Sequence, residues 1–370
     1  MTKNYILVGA NPAEMLKTQH RGGVLSLSIG LLDYAEKEGY HIDIIDTFFD
    51  TFALKGHSYL SLIKRIPRGF SRIIQLIKML FSFKYSGVII FSGSGFSFYE
   101  RIFLSAICSL FRVPVVFFIV SGNFFDILKA KTAKKKWVSF LLSIPNYIAV
   151  SGAQWFKLLE DLNVRSKKII LIHYWLKSSF PIAHKPKKKA VEKIIHFVFV
   201  GWIIKEKGIY EIIYAIEKLI EKHHFRFTFI GSGTLLNDLR NKISKSNWGN
   251  SVSALGWVTD DESSKIIASG DVFVLPSYAE GFPISLIEAL SLGLPAICTN
   301  VGGISDSLQS GMNGYLIPPR QVEPLIKAME HYLQDPSLID RHSKAALQIF
   351  RKNHSQDENC KLIFQALEKR

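Results

Sequence analysis

DVFVLPSYAEGFPISLIEALSLGLP, residues 271–295, contains a strand, a loop and a helix in one pass. Asp271–Leu275 is a short apolar run that stops at Pro276, the pattern of a strand buried on both faces of a parallel sheet. The helix begins at Pro283 or Ile284, because a proline suits the first helical turn, where its missing N–H costs nothing. Ile284, Leu286, Ile287 and Leu290 then form an apolar stripe. A buried strand that turns directly into an apolar-faced helix is half of a βαβ unit, from which doubly wound sheets are built.

The same turn has chemistry. The amides of Ile284, Ser285 and Leu286 find no partner inside the helix, and with the positive end of the helix dipole they make an anion pocket. Pro283 has no N–H to contribute, and Gly281 lets the backbone come close to a ligand. Two carboxylates flank the pocket, Glu280 before it and Glu288 inside the helix. A carboxylate repels a phosphate, so both suit the neutral, hydroxyl-bearing ends of one ligand: a sugar on one side of a pyrophosphate and a ribose on the other. That describes a nucleotide sugar. The spacing by itself more often reflects a plainer arrangement, with Glu280 capping the helix and Glu288 in solvent.

Outward from this stretch the chain alternates strand and helix patterns. Strands are expected at residues 4–10, at HIDIID, and at 87–93, 113–120, 146–151 and 167–172. Residues 173–193, HYWLKSSFPIAHKPKKKAVEK, have two prolines, a basic run and no period. They read as a link between domains. The alternation then restarts through IIHFVFVG, a helix from about Lys207, RFTFIG, VSALG, DVFVL, LPAICT and GYLIP, and closes with helical stretches at 321–351 and 356–369. The expected architecture is α/β, two doubly wound, Rossmann-like domains. Their bounds are 1–175 and 193–350, with a linker at 176–192 and a last helix at 351–370 that packs back toward the first domain. Ligands of such sheets bind at the carboxyl ends of the strands, so a cleft between the halves is the expected site.

Bulk properties bound the partners. The 370 residues have 46 Lys and Arg against 31 Asp and Glu, a formal charge of +15. That sign fits nucleic acid, an acidic membrane or a phosphorylated substrate. Cys108, Cys298 and Cys360 lie far apart, as three reduced thiols of a cytoplasmic protein would. The N-terminal apolar run is too short for a signal peptide. Residues 102–120 are broken by Arg112 and Pro114 and read as a helix followed by a buried strand, not a membrane span.

LPSYAEGFPISLIEALSLGLPAICTNVGGISDSLQSGMNGYLIPP, residues 275–319, resembles the donor-binding half of retaining glycosyltransferases of family 4, whose fold is GT-B. FVGWIIKEKGIYEIIYAIEKL (199–219), FIGSGTLLNDL (229–239) and LGWVTDDE (255–262) follow in the family's order. RGGVLSLSIGLLDYAEKEGYHIDIID and IAVSGAQWFKLLEDLNV extend a looser resemblance to the first half. The resemblance implies a hexosyl transfer from a nucleotide-diphosphate sugar. It places Glu280 on the donor sugar near the reacting carbon, Glu288 on the ribose, and Lys207 on the phosphates. Gly281, Phe282, Ile284 and Ser285 would bring main-chain donors to sugar and phosphates, Gly22 and Gly23 would approach the phosphates from the first domain, and Gly256 and Trp257 match the region that reads the base.

The sequence departs from the family twice. Trp202 follows the glycine of the FVG segment where an arginine is common, which removes one phosphate clamp from the donor site. Ser121 stands about where many members have a histidine, leaving Ser121, Asn123 or Asp126 for the acceptor side. SGSGF, residues 92–96, lacks the third glycine of a dinucleotide fingerprint. There is no Asp-x-Asp, so no metal and no cofactor is expected, and Lys207 with the helix amides is left to stabilise the leaving diphosphate.

Between Asp50 and Glu100 there is no acidic residue, while Lys55, Lys64, Arg65, Arg68, Arg72, Lys78 and Lys84 interleave with apolar ones. A helix there suits a membrane interface, with Lys64, Arg65, Arg68, Arg72 and Lys78 facing headgroups. A second run, Lys129 to Lys136, lies in the same half. A peripheral place on the inner face of the plasma membrane favours a lipid-linked saccharide acceptor, as in bacterial surface-polysaccharide assembly. A solvated basic face is the plainer reading, and no nucleic-acid motif accompanies the charge. Rival functions are a nucleotide-sugar epimerase of the same plan and a noncatalytic nucleotide-sugar-binding protein.

Overall fold

The computed structural model describes residues 3–15, 23–47, 59–121, 124, 132–183 and 194–369. The chain divides into two compact units, Met1–Ser178 with Gln356–Arg370, and Ser179–Ser355. The first has strands β1 Asn4–Gly9, β2 His41–Asp46, β3 Tyr85–Ser92, β4 Val115–Ile119, β5 Tyr147–Val150 and β6 Ile169–Leu171. Between them run α1 Pro12–Met15, α2 Gly23–Lys37, α3 Tyr59–Leu80, α4 Phe96–Leu110, α5 Thr132–Leu142 and α6 Ala153–Asp161. The second has β7 Ile195–Val200, β8 Phe225–Ile230, β9 Val252–Gly256, β10 Val272–Leu275, β11 Ala296–Thr299 and β12 Gly314–Ile317. Its helices are α7 Ile209–Leu219, α8 Leu236–Lys245, α9 Asp260–Ser269, α10 Ile284–Ser291, α11 Val322–Gln334 and α12 Ser337–Asn353. The last helix, α13 Gln356–Glu368, belongs to the first unit.

Both sheets are parallel and six-stranded, in the orders β2-β1-β3-β4-β5-β6 and β12-β11-β10-β7-β8-β9. The order reverses between β1 and β3 in the first sheet and between β7 and β10 in the second. Loops diverge at such a reversal and leave room for a ligand at the strands' carboxyl ends.

The central strands β3, β4 and β10 are largely apolar and buried because helices cover both faces of each sheet, whereas the edge strand β2, HIDIID, is polar and half-buried. In the first unit, Val8, Ile90 and Phe117 share one core with Leu76 of α3, Ile102 of α4, Leu142 of α5 and Trp155 of α6. On the other face, Tyr5 meets Phe364 of α13 edge-on at 4.9 Å, and Tyr34 of α2 stacks on the same ring at 5.7 Å. Gly87 makes room for α13: a Cβ there would lie 2.9 Å from Leu367. The helix is also tied by the Tyr5 hydroxyl donating to Glu368 at 2.9 Å, and by the His173 amide donating to Asn359 at 2.8 Å. Of the expected linker, Leu176 and Phe180 are buried, and residues 184–193 lie outside the described ones.

Two expectations are corrected. The helical stretch at 321–351 is two helices, α11 and α12. Pro336 has no N–H for a continuous helix and pushes Asp335 out of the helical region, to φ −129 and ψ 83. Arg72 does not face a membrane. It is 6% exposed, and its Nε donates to Glu100 at 2.7 Å, while the other Glu100 oxygen holds Arg101 at 2.9 Å. The acid that answers Arg72 is 28 positions away, beyond any local reading of charge. Lys78 is exposed and Arg68 half-buried, whereas the side chains of Lys64 and Arg65 lie outside the described residues.

Residues 102–120 do form the end of α4 followed by β4. Among the described residues no helix is long and apolar enough to cross a membrane. The three cysteines are free and buried, and burial pushes the Cys108 thiol up to about 12.

Candidate active site

β7 and β10 end side by side where the second sheet reverses. After β7 the chain makes a 3-10 turn, Lys205–Lys207, and a left-handed residue, Gly208 at φ 75, before α7. Lys207 is therefore in the turn that precedes the helix, not at its first position. After β10 comes the loop Pro276–Pro283, then α10. The two loops touch at backbone level: a Cβ on Gly208 would lie 2.3 Å from the Pro276 carbonyl oxygen. The Tyr278 amide donates to the Glu206 carbonyl at 2.8 Å.

This contact sets Lys207 against Glu280. The ammonium donates to Glu280 Oε1 at 2.5 Å, and the same oxygen accepts from the Ser277 hydroxyl at 2.7 Å. The side chains are 20% and 10% exposed, so the charge-assisted bond is largely shielded from water and still open to a ligand. Two of the three ammonium hydrogens remain for other acceptors. Thr299 steadies Ser277 by donating to its carbonyl at 2.6 Å, and the Gly303 amide donates to the Gly281 carbonyl at 2.9 Å.

At the start of α10 the amides of Ile284 and Ser285 have no partner among the described residues, as an anion pocket requires. The Leu286 amide is not available: it bends back to the Pro283 carbonyl at 3.1 Å, a tightened first turn. Glu288 stands in the second turn, half-buried. Phe282 is 5% exposed with its ring edge-on to His354 at 5.3 Å, so it anchors the turn and only its main chain can serve a ligand.

The loops after β7, β8 and β9 join the same edge. The Ile203 amide donates to Ser232 at 2.9 Å, and the Gly231 amide donates to Gly256 at 2.8 Å. Trp202, Gly256 and Trp257 thus lie along the edge that carries Lys207, with Trp257 42% exposed. In the first unit, Gly23 opens α2, and Ser121 follows β4 with its hydroxyl 3.4 Å from that of Ser94. Gly22, Asn123 and Asp126 lie outside the described residues.

Sequence reading missed a brace behind the loop. The Tyr278 hydroxyl donates to the buried Glu211 at 2.7 Å, and Arg320, in a left-handed conformation at φ 61, covers the Tyr278 ring at 4.7 Å. Burial, then the Glu211 bond, pushes the Tyr278 hydroxyl up to about 12, so it stays a donor. Tyr278 was visible in the opening stretch, but its partners come from α7 and from the loop after β12, and nothing local points to them.

Residues 182–349, most of the second unit, match the family model of Glycosyl transferases group 1. Over 135 residues the chain is 38% identical to the "Putative teichuronic acid biosynthesis glycosyltransferase TuaC" of Bacillus subtilis, 36% of this chain and 32% of that protein. Over 243 residues it is 30% identical to the "UDP-Gal:alpha-D-GlcNAc-diphosphoundecaprenol alpha-1,3-galactosyltransferase" of Escherichia coli, 61% of this chain and 62% of that protein. The chain thus spans between about a third and under two-thirds of the length of these curated relatives. The crystal structure of Anabaena Alr3699/HepE in complex with UDP superposes with a TM-score of 0.70 at 13% identity, covering 99% of both chains. The fold is GT-B: two Rossmann-like α/β units.

Proposed function

We propose that the protein is a retaining hexosyltransferase that moves a sugar from a nucleotide-diphosphate donor to a saccharide acceptor. The acceptor is lipid-linked, and the reaction belongs to surface-polysaccharide assembly at the inner face of the plasma membrane. The Lys207–Glu280 pair beside the open amides of Ile284 and Ser285 carries this reading. Breaking the anomeric C–O bond leaves positive charge on the sugar ring and negative charge on the departing diphosphate. Lys207 and the two amides face the negative charge, preorganised, where such groups contribute most. Glu280, bonded to Lys207, holds sugar hydroxyls, and Glu288 holds the ribose. Fixed charges then do the work of a metal. The retained configuration follows from attack on the face the diphosphate leaves, with that diphosphate taking the acceptor's proton. The name of the Escherichia coli relative, which includes a diphosphoundecaprenol acceptor, and the UDP in the Anabaena structure support the acceptor and donor classes.

The test is release of free sugar from a panel of nucleotide sugars, with and without a chelator. Slow release that ignores the chelator is expected, falling on the order of 100-fold in Glu280→Ala and in Lys207→Ala. Unchanged release in both variants overturns the reading. An epimerised donor would instead reveal an epimerase, and tight binding without turnover on any acceptor a noncatalytic binder.

A further inference from the structure

The helices α3, α4, α5 and α6 pack on one core over the first sheet, and they follow one another in that order because the strands they connect, β2, β3, β4, β5 and β6, stand in that order across the sheet. The charge in this layer is arranged in an uneven way. The only charged residues of α4 are Glu100 and Arg101, and both are turned inward, 9% and 2% exposed, in the cluster with Arg72. Its outer surface is therefore uncharged. It displays Phe96, Tyr99, Phe103 and Leu110, with Phe103 52% and Leu110 83% exposed.

Cations stand on both sides of this apolar strip. α3 exposes Phe70 and Ile74 and carries Lys78 near its end. α5 exposes Lys134, Lys135 and Lys136, followed by Trp137 stacked on Phe140 at 5.7 Å. From 51 to 161, the span that ends with α6, the sequence has fifteen lysines and arginines against Glu100, Asp126, Glu160 and Asp161, a net +11 of the chain's +15. Charge spread for solubility would be shared with the second unit, and it is not.

An apolar centre with an aromatic rim and cations on both flanks matches a lipid leaflet, with acyl chains in the middle and anionic headgroups around them. A second copy of the chain would set two strongly cationic surfaces against each other. We infer that the outer face of the Phe96–Leu110 helix enters an anionic membrane leaflet, while the flanking helices Tyr59–Leu80 and Thr132–Leu142 lay their lysines among the headgroups. This deepens the membrane-side reading above and rests on it. It also moves the centre of contact from the basic helix that the sequence picks out to its uncharged neighbour.

The test floats the full chain with neutral vesicles and with vesicles containing about a third anionic lipid. The protein should rise with the anionic vesicles alone. Phe103→Asp should lower the bound fraction roughly tenfold, the scale of losing one buried ring. Lys134→Glu with Lys135→Glu should weaken binding at low salt. Met312→Asp, an equally exposed apolar site of the second unit, should bind as the parent does. The inference is overturned if Phe103→Asp floats like the parent, if the parent floats equally on neutral vesicles or on none, or if the parent is a dimer that Phe103→Asp dissociates. Sugar release without vesicles is measured in parallel and should be the same in Phe103→Asp. Lost flotation with intact release and intact flotation without any release tell the failure of this inference from that of the transferase reading.

Discussion

Glu280 is held by two donors on a single oxygen, Lys207 and Ser277, and this makes it a fixed carboxylate rather than a mobile surface one. Its fixity depends on the next residues. Tyr278 ties the loop to α7 through Glu211, whose Oε2 has no partner among the described residues. Removing the Tyr278 hydroxyl takes from that buried carboxylate the one donor it has among the described residues. Tyr278→Phe should therefore cost about 1–3 kcal/mol in urea unfolding of the second unit. Combining it with Glu211→Gln should cost less than the sum of the two, because the amide carries no charge to strand. A Tyr278→Phe protein as stable as the parent would show that the brace is idle. At this scale the sequence picked out Glu280 and Glu288 as candidates by their places around Gly281 and Pro283, and the family resemblance added Lys207. It did not show that Lys207 and Glu280 bond to each other over 73 positions, and it misassigned Arg72 for the same reason. A charged side chain's partner is set by packing, not by its neighbours in the chain.

The site's elements are short loops pressed together at the ends of β7 and β10. Gly208 is where they press hardest, since both its φ of 75 and the closeness of the Pro276 oxygen exclude a side chain. Gly208→Ala should cost about 1–3 kcal/mol in strain and should push Lys207 away from Glu280. Sugar release should fall by an amount comparable to that in Lys207→Ala while the first unit keeps its circular-dichroism signature. Release at the parent rate would mean that the two loops act independently. The strands were legible as apolar runs because both faces are covered, which removes the alternation a half-exposed strand would have. The break at Asp335–Pro336 was not, because the apolar stripes of α11 and α12 keep nearly the same period across it. Nor was the 3-10 turn that carries Lys207, since three residues have no period to read.

For the whole molecule, the last element completes the first unit. Phe364, 2% exposed, touches the rings of Tyr5, Tyr34 and Tyr40 on one face of the first sheet. Phe364→Ala should cost about 3–5 kcal/mol, and amide exchange should quicken in β1 and β3 while β7 and β10 are unaffected. Equal exchange in both units would argue that the last helix is not part of the first. The sequence by itself determined that there are two α/β halves, where their strands lie, and which loop carries the carboxylates, because strand burial, proline and glycine act over a few residues. Only the tertiary structure decided that Lys207 neutralises Glu280, that Tyr278, Glu211 and Arg320 stand behind them, and that Arg72, Glu100 and Arg101 turn inward to leave a helix face bare of charge. Each of those depends on bringing distant segments within hydrogen-bond reach, and a linear pattern contains no record of that distance.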